Sequence, residues 1–193
     1  MDSPHQNTTA KGDTLAEVSS LAQLPWSRII LSVSGMLLAM FLAALDQTIV
    51  ATALPRVVTD LGGLDQFAWV FTAYMLASTI SIPIMGKLSD MYGRKWIVAG
   101  GVAIFIIGSA LSGLSQDMFQ LILFRGVQGL GAGSIIANTY AVVGDIFPPA
   151  QRGKWMGVVG LVFALAIVVG PLSGGYLTDH YSWRWIFFIN VPL

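Results

Sequence analysis

The sequence predicts an all-α membrane protein with five complete transmembrane helices and the start of a sixth. Of the 193 residues, 55% are hydrophobic and only 10% are charged, whereas charged residues make up about a quarter of a typical soluble domain. The apolar residues are massed into blocks instead of alternating with polar residues at the period of a half-buried strand or helix. Such blocks are typical of helices surrounded by lipid, because a helix satisfies its own backbone hydrogen bonds.

Five apolar blocks are long enough to cross a bilayer, which requires about 20 residues. They run approximately over residues 29–54, 67–85, 96–114, 119–147 and 156–177. These blocks are too long and too uniformly apolar for the strands of a membrane barrel, which alternate over roughly 10 residues. A sixth block begins at Trp185 and reaches Leu193, the last residue, after about two helical turns. We therefore predict a helical bundle over residues 28–193 and expect the chain to be the N-terminal portion of a longer protein.

The first 27 residues are polar, and we predict a flexible tail there. The tail lacks the basic start, apolar core and cleavage site of a secretory signal peptide. The chain contains no cysteine, and its only histidines are His5 and His180, so no metal site is expected. The formal net charge is zero, which gives no reason to expect nucleic acid as a partner.

The distribution of lysine and arginine predicts the orientation of the helices. If the tail lies in the cytoplasm, its side of the membrane carries seven basic residues and the opposite side carries two, Arg56 and Arg184. Cytoplasmic loops are enriched in these residues, so we expect a multi-pass plasma-membrane protein with a cytoplasmic N-terminus. The seven residues are Lys11, Arg28, Lys87, Arg94, Lys95, Arg152 and Lys154.

An internal repeat relates the segment after the second block to the segment after the fifth. Residues 86–96 and 175–185 share Gly, Leu, Asp, Tyr and Trp at five of eleven positions. Three helices separate the two copies, so they are expected on opposite faces of the membrane. This arrangement predicts an inverted repeat of three plus three helices, which is a common architecture of transporters.

Together these segments resemble the major facilitator superfamily, and in particular its fourteen-helix drug:proton antiporter branch. The resemblance rests on LDQTIVATALP (residues 45–55), the basic hairpin 86–95, RGVQGLGAG (125–133), GPLSGG (170–175) and WRWIFFINVP (183–192). Members of the superfamily have a second half, so the resemblance implies that the C-terminal half of the transporter is missing from this chain.

The resemblance implies a proton-coupled efflux antiporter that exports drugs and other amphipathic organic compounds and so confers antibiotic resistance. Its partners would be the lipid bilayer, protons and these compounds, with the proton gradient as the energy source and no cofactor. Two alternatives stay open: a major facilitator for another solute, such as a sugar or metabolite, or a truncated remnant that transports nothing. An enzyme is not expected, because the sequence has no nucleophile–base pair, metal cluster or phosphate-binding loop.

Two ionisable residues, Asp46 and Arg125, fall inside apolar blocks. A charge in the middle of a membrane costs roughly 3 kcal/mol on insertion scales, so such residues usually face a cavity or a partner. From the helical rise, both should lie about 10–13 Å below the outer surface. We hypothesise that they line one aqueous cavity with Gln47 and Gln128 and that protonation of Asp46 couples proton entry to substrate release. The alternative is a structural ion pair between helices one and four.

The basic hairpin and the end of the fourth block contain a second set of candidate residues. By resemblance, they form a charge network that latches the cytoplasmic side in the outward-open state. The alternative is that the basic residues serve only membrane topology, which accounts for the lysine and arginines but not for the two aspartates. The set comprises Gly86, Asp90, Gly93, Arg94, Lys95, Asp145 and Arg152.

Small residues form the third set. Gly129 and Gly133 lie four residues apart on the same face as Arg125, which favours close helix packing. By resemblance, a motif that marks antiporters occupies the end of the fifth block, where a proline is expected to bend or loosen the helix. A tight static contact is the alternative interpretation. The motif residues are Gly170, Pro171, Gly174 and Gly175.

Overall fold

The computed structural model describes residues 26–192, except the side chains of residues 26, 28 and 29. Residues 1–25 of the predicted tail lie outside the described residues. The described helices are α1 (Trp26–Leu61), α2 (Phe67–Tyr92), α3 (Arg94–Leu114), α4 (Met118–Ile146), α5 (Pro149–His180) and α6 (Trp185–Phe188). Among the described residues, those from Met36 onward form one compact unit, and residues 26–35 do not belong to it.

Helices α1 to α5 are each long and apolar enough to cross a bilayer. They contain 36, 26, 21, 29 and 32 residues, and each includes an 18-residue stretch whose mean hydropathy lies between 1.3 and 2.3. All regular secondary structure within residues 26–192 is helical. The predicted fold class, an all-α membrane bundle with five complete transmembrane helices, is therefore confirmed, and α6 begins at Trp185, where the sixth apolar block begins.

Three of the five long helices, α1, α2 and α5, extend well beyond the apolar blocks. Helix α1 continues through Pro55 to Leu61, although the apolar block ends near residue 54. The hydroxyl of Thr59 donates to the carbonyl oxygen of Pro55 at 2.9 Å, within this extension. A helix keeps its backbone hydrogen bonds when it leaves the hydrocarbon, so hydrophobicity marks the membrane-spanning part and not the helix ends. Asp46 is therefore fifteen residues, or about 22 Å along the axis, from the end of its helix.

Short connections join consecutive helices, and specific residues fix where the helices begin and end. Gly93 alone separates α2 from α3, and its φ of 92° lies in the left-handed region that favours glycine. Asp117 caps α4, because its side chain accepts a hydrogen bond from the backbone N–H of Gln120 at 2.8 Å. Pro149 occupies the first turn of α5, where its missing N–H costs nothing.

Helix α4 packs closely against α2 and α3 through small residues. A side chain at Gly133 would overlap the carbonyl oxygen of Ser78 in α2, and one at Gly131 would lie 2.6 Å from the carbonyl oxygen of Gly101 in α3. On the α3 side, a side chain at Gly108 would lie 2.6 Å from the backbone nitrogen of Gln128. The predicted close packing of the α4 glycines is thus present, and it brings the polar residues of α4 against two neighbouring helices.

The apolar core lies between α1, α4 and α6. Ile49 and Val50 of α1 pack in one buried cluster with Leu121 of α4 and with Ile186 and Phe187 of α6. The short sixth helix is therefore anchored in the bundle although it contains only four residues. By contrast, α5 exposes large apolar side chains along much of its length, which suits contact with lipid or with another apolar helix. These side chains include Leu161, Leu165, Ile167, Val168 and Leu172.

Candidate functional site: a buried polar cluster around Asp46

Five polar side chains meet in the apolar interior, and we call them the interior cluster. They come from four different parts of the chain: α1, α3, α4 and the segment after α6. Each of the five residues is 0% exposed. Burying polar groups is costly unless they are hydrogen-bonded, so the contacts within the cluster determine whether it is stable. The members are Asp46, Ser109, Arg125, Gln128 and Asn190.

Asp46, Arg125 and Gln128 form a closed ring of hydrogen bonds. Nη1 of Arg125 donates to Oδ2 of Asp46 in a direct ion pair, and also to Oε1 of Gln128 at 2.9 Å. The amide nitrogen of Gln128 donates to Oδ1 of Asp46 at 2.9 Å. Gln128 follows Arg125 by three positions, so helical geometry places both on one face of α4. The structure thus brings together three of the four residues predicted for this site.

Gln47, the fourth predicted residue, does not join the ring. It is half-buried, next to Asp46 on α1, and it makes none of the cluster's hydrogen bonds. Successive residues on a helix point in directions about 100° apart, so Asp46 and Gln47 cannot both face the same small cluster.

Aromatic rings surround the guanidinium group of Arg125. Its Cζ lies 4.1 Å from the ring centre of Tyr74 in α2 and 5.9 Å from that of Phe187 in α6. A cation is attracted to the face of an aromatic ring, more strongly when both are desolvated. The hydroxyl of Tyr74 donates to the carbonyl oxygen of Ala43 in α1 at 3.0 Å, which fixes the ring. Nη2 of Arg125 is buried without a hydrogen-bond partner among the described residues.

Asn190 and Ser109 complete the cluster, and the sequence analysis did not identify either of them. Nδ2 of Asn190 donates to Oδ1 of Asp46 at 3.2 Å and to Oγ of Ser109 at 3.0 Å. Ser109 in turn donates to the carbonyl oxygen of Phe187 at 2.7 Å. A signal was present for Asn190, since it is an amide within an apolar block, where an unpaired polar group is expensive.

The cluster balances one negative and one positive charge. Removing one partner of a buried ion pair typically costs 3–5 kcal/mol, because it leaves an uncompensated buried charge. Loss of the negative charge of Asp46, by substitution or by protonation, would therefore leave Arg125 as an uncompensated buried cation. The ion pair between Asp46 and Arg125 is part of both hypotheses, proton coupling and a purely structural role. The two hypotheses differ in whether Asp46 binds and releases a proton during function.

At one end of the bundle, the hairpin between α2 and α3 contacts the end of α4. Arg94 lies 2.5 Å from a carboxylate oxygen of Asp145 and 3.3 Å from one of Asp90. Lys95 instead places its ammonium group 5.8 Å from the ring centre of Trp96, and Arg152 donates to a backbone carbonyl oxygen at 3.0 Å. The structure therefore joins Arg94 to both predicted aspartates, while the other two basic residues make different contacts.

The glycines of the predicted motif in α5 differ in their surroundings. Gly170 and Gly174 pack against Thr48 and Thr52 of α1, so that an added side chain would overlap these threonines. Thr48 also donates to the carbonyl oxygen of Ala166 in α5 at 2.9 Å. Gly175 has no atom within 4 Å of an added Cβ. Pro171, the fourth residue of the motif, is exposed within the continuous helix α5.

At the opposite end, the segment before α6 contacts the ends of α1 and α3. The indole N–H of Trp183 donates to Oδ2 of Asp60 at 2.8 Å. Nη1 of Arg184 donates to the carbonyl oxygens of Gly113 and Ser115 at 2.9 and 2.6 Å. Unpaired carbonyl groups and the negative end of the helix dipole meet at such a helix terminus, and an arginine satisfies both.

Comparison with known proteins adds evidence that is independent of this geometry. The sequence model of the Major Facilitator Superfamily matches residues 36–193. The chain is 51% identical over 161 residues to "Multidrug resistance protein 3" of Bacillus subtilis, covering 83% of the chain and 31% of that protein. It is 46% identical to "Multidrug transporter protein MdtP" of the same organism, covering 86% of the chain and 31% of that protein.

A fungal protein is also similar. The chain is 41% identical over 165 residues to "Efflux pump dotC" of Dothistroma septosporum, covering 86% of the chain and 28% of that protein. The chain thus spans less than a third of the length of these three relatives. Because the family match covers nearly the whole of the described bundle and the bundle consists of membrane-spanning helices, the chain belongs to the Major Facilitator Superfamily, a family of transporters and not of enzymes.

Proposed function

We propose that the full-length protein is a proton-driven exporter of small amphipathic organic compounds, of the fourteen-helix drug:proton antiporter branch. In this proposal it resides in the plasma membrane with its N-terminus in the cytoplasm, and it needs no cofactor. The C-terminal half of the transporter would complete the substrate cavity. The names of the relatives, which mention multidrug resistance, multidrug transport and efflux, support this substrate class.

The single observation that carries the proposal is the buried carboxylate of Asp46. It is the only buried acidic residue among the described residues, and it lies beside the arginine of α4. Maintaining an ion pair in the interior of a membrane bundle is costly, and such pairs commonly mark proton and substrate pathways. We infer that water reaches the interior cluster in at least one state of the transport cycle, when a proton binds or leaves Asp46.

Proton binding at Asp46 would change the contacts between helices. Hydrogen bonds to an ionised group are roughly twice as strong as those between neutral groups, so neutralising Asp46 weakens its bonds to Arg125 and Gln128. These bonds connect α1 to α4. A proton could therefore alter the packing of these two helices and, through them, the state of the transporter.

Contacts at the two ends of the bundle support an inverted repeat as the framework for this change. Arg94 and Trp183 occupy equivalent positions in the two aligned segments. Arg94 contacts Asp145, the penultimate residue of α4, and Trp183 contacts Asp60, the penultimate residue of α1. In the proposed repeat, these are equivalent positions in contact with the ends of equivalent helices, at opposite ends of the bundle. In our proposal, the contact at Asp145 belongs to the cytoplasmic latch.

The substitution Asp46→Asn in the full-length protein tests the proposal. Everted membrane vesicles are energised with a proton gradient, and uptake of ethidium, a lipophilic cation, is followed by fluorescence. We expect Asp46→Asn to abolish gradient-driven uptake, because asparagine keeps the shape of aspartate but binds no proton. Uptake is compared per amount of inserted protein, since the unpaired Arg125 also lowers stability. Asp65→Asn, the same change at an exposed loop residue, serves as the matched control and should retain full uptake.

Two results would contradict the proposal. Gradient-driven uptake by Asp46→Asn at the rate of the unmodified protein would exclude a coupling role for this carboxylate and favour a structural ion pair. If the unmodified protein moves neither ethidium nor other amphipathic organic cations, the proposed substrate class is wrong, and a different solute becomes the better interpretation.

A further inference from the structure

Asn190 lies where the chain continues beyond α6, and its surroundings define which way its amide points. Ser109 donates its hydroxyl proton to the carbonyl oxygen of Phe187, so its oxygen is available to Asn190 only as an acceptor. The ionised carboxylate of Asp46 is also only an acceptor. An amide between two acceptors must present its nitrogen to them, which is the orientation in the structure.

The two hydrogen bonds of Asn190 join three segments at one point. Asp46 belongs to α1, Ser109 to α3, and Asn190 to the segment that follows α6. Oδ1 of Asp46 accepts hydrogen bonds from both Asn190 and Gln128, while Oδ2 accepts one from Arg125. Asn190 is the only donor to this carboxylate from the segment after α6 among the described residues.

The strength of the hydrogen bond from Asn190 to Asp46 depends on whether the carboxylate of Asp46 is ionised. The titratable or charged groups in contact with or near the carboxylate are the guanidinium of Arg125 in α4 and the phenol of Tyr74 in α2. From the segment after α6 it accepts a hydrogen bond from the neutral amide of Asn190, which in turn donates to the neutral hydroxyl of Ser109 in α3. A proton on Asp46 converts the bond from Asn190 into a weaker, neutral one.

We propose that Asn190 and Ser109 are positioning residues for Asp46. They hold residues 189–192, the part of the sixth transmembrane segment that follows α6 and is called helix six below, on the ionised carboxylate and release it when the carboxylate binds a proton. The inference rests on the proposed function, because it requires that Asp46 binds a proton during transport. It adds a specific route by which that event reaches helix six. It also assigns roles to two residues that carry no charge themselves.

The first test is the pH dependence of substrate-induced proton release. Purified full-length protein is mixed with ethidium in weakly buffered detergent solution, and released protons are measured with a pH indicator. Asn190→Leu removes the donor while keeping a similar volume. Because one of the donors that favour the ionised form is lost, the midpoint of proton release should move to higher pH by about one unit, or about tenfold in proton affinity.

Two further variants complete this test. Ser109→Ala keeps Asn190 but removes its second partner, so the midpoint should move in the same direction by a smaller amount. Ile189→Ala changes the exposed neighbour of Asn190 and should leave the midpoint in place. If Asn190→Leu does not insert stably, Ser109→Ala decides, since it removes only one oxygen atom from the cluster.

The second test measures the release of helix six directly. The chain has no cysteine, so Val191→Cys, in a full-length protein without other thiols, gives one reporter beside Asn190. The rate at which this cysteine reacts with a water-soluble maleimide is divided by the rate for a cysteine in an unfolded peptide at the same pH, which corrects for the ionisation of the thiol. The corrected rate should rise as the pH falls through the midpoint of proton release. In the Asn190→Leu background the corrected rate should already be high and independent of pH.

The outcomes separate this inference from the proposed function. If Asp46→Asn still exports ethidium with the proton gradient, the proposed function fails, whatever the result at Asn190. If Asp46→Asn abolishes proton release but Asn190→Leu and Ser109→Ala keep the midpoint of the unmodified protein, only the positioning role is refuted. A corrected labelling rate at residue 191 that does not depend on pH in the unmodified protein would refute the release of helix six.

Discussion

Adjacent glycines in α5 allow a sharp test of how closely α5 and α1 pack. Gly174 is buried against α1, and a side chain there would lie 2.8 Å from the carbonyl oxygen of Ile49 and would overlap the hydroxyl of Thr52. Gly175, the next residue, has open space where its side chain would be. The perturbation is therefore the same substitution, glycine to alanine, at two neighbouring positions with opposite surroundings.

The expected magnitude follows from two terms. Alanine in place of glycine favours a helix by roughly 0.5–1 kcal/mol through the lower entropy of the unfolded chain. At Gly174 the new methyl group must move 0.6 Å or more away from a backbone oxygen to reach ordinary contact at 3.4 Å, and overpacking of this kind typically costs about 1–3 kcal/mol. The helix term is common to both variants, so Gly174→Ala should be less stable than Gly175→Ala by about 1–3 kcal/mol.

Thermal unfolding of the purified full-length protein in detergent, followed by the loss of monodisperse protein in size-exclusion chromatography, measures this difference. Gly174→Ala should have the lower midpoint of the two, by less than the roughly 2–4 °C per kcal/mol of a 150–250-residue domain, because the shift becomes smaller as the chain becomes longer. Equal melting temperatures for the two variants would show that α1 and α5 do not pack at Gly174 as described. A lower melting temperature for Gly175→Ala than for Gly174→Ala would reverse the assignment of the packed face.

The two ends of the bundle give two further predictions. Trp183→Phe loses a buried indole and its hydrogen bond to Asp60, so the free energy of unfolding should fall by about 2 kcal/mol. The control Trp185→Phe, at a residue that is 54% exposed, should change the free energy of unfolding much less. Equal effects of the two substitutions in thermal unfolding would exclude a special role for the hydrogen bond. For Arg94 and Asp145, whose side chains are 28% and 47% exposed, a double-mutant cycle with Arg94→Gln and Asp145→Asn should give a coupling energy of about 0.5–1 kcal/mol that shrinks with added salt. A coupling that is insensitive to salt would contradict a solvent-accessible ion pair.

Hydrophobicity and the cost of buried charge account for what could be predicted from the sequence. The apolar blocks predict the five long helices, because lipid requires each spanning segment to be long and helical. Asp46 and Arg125 were predicted to lie close together, in one aqueous cavity or alternatively as an ion pair, because a lone charge is costly in an apolar block. Gln128 was predicted for the same site, and it lies one turn after Arg125 on the same face of α4.

The remaining features depend on tertiary packing that no local pattern records. Asn190 lies 144 residues from Asp46 along the chain, and a neutral amide costs less to bury than a charge, so it gives a weaker signal. Ser109 is one of several serines in apolar helices and is distinguished only by its neighbours. Gln47 was also predicted for this site, but its side chain leaves α1 in a different direction from that of Asp46 and does not join the ring.

The neutral pairing of Asp46 with Arg125 has an electrical consequence. While both groups are ionised, the pair carries no net charge, and the membrane voltage exerts little force on it. A bound proton would leave one uncompensated positive charge in the interior. A full crossing of the membrane by one such charge is worth about 2.3 kcal/mol per 100 mV, so a resting potential that is negative inside would favour whichever conformation holds the protonated cluster nearer the inner surface. In that way voltage would act together with the pH difference, through one carboxylate.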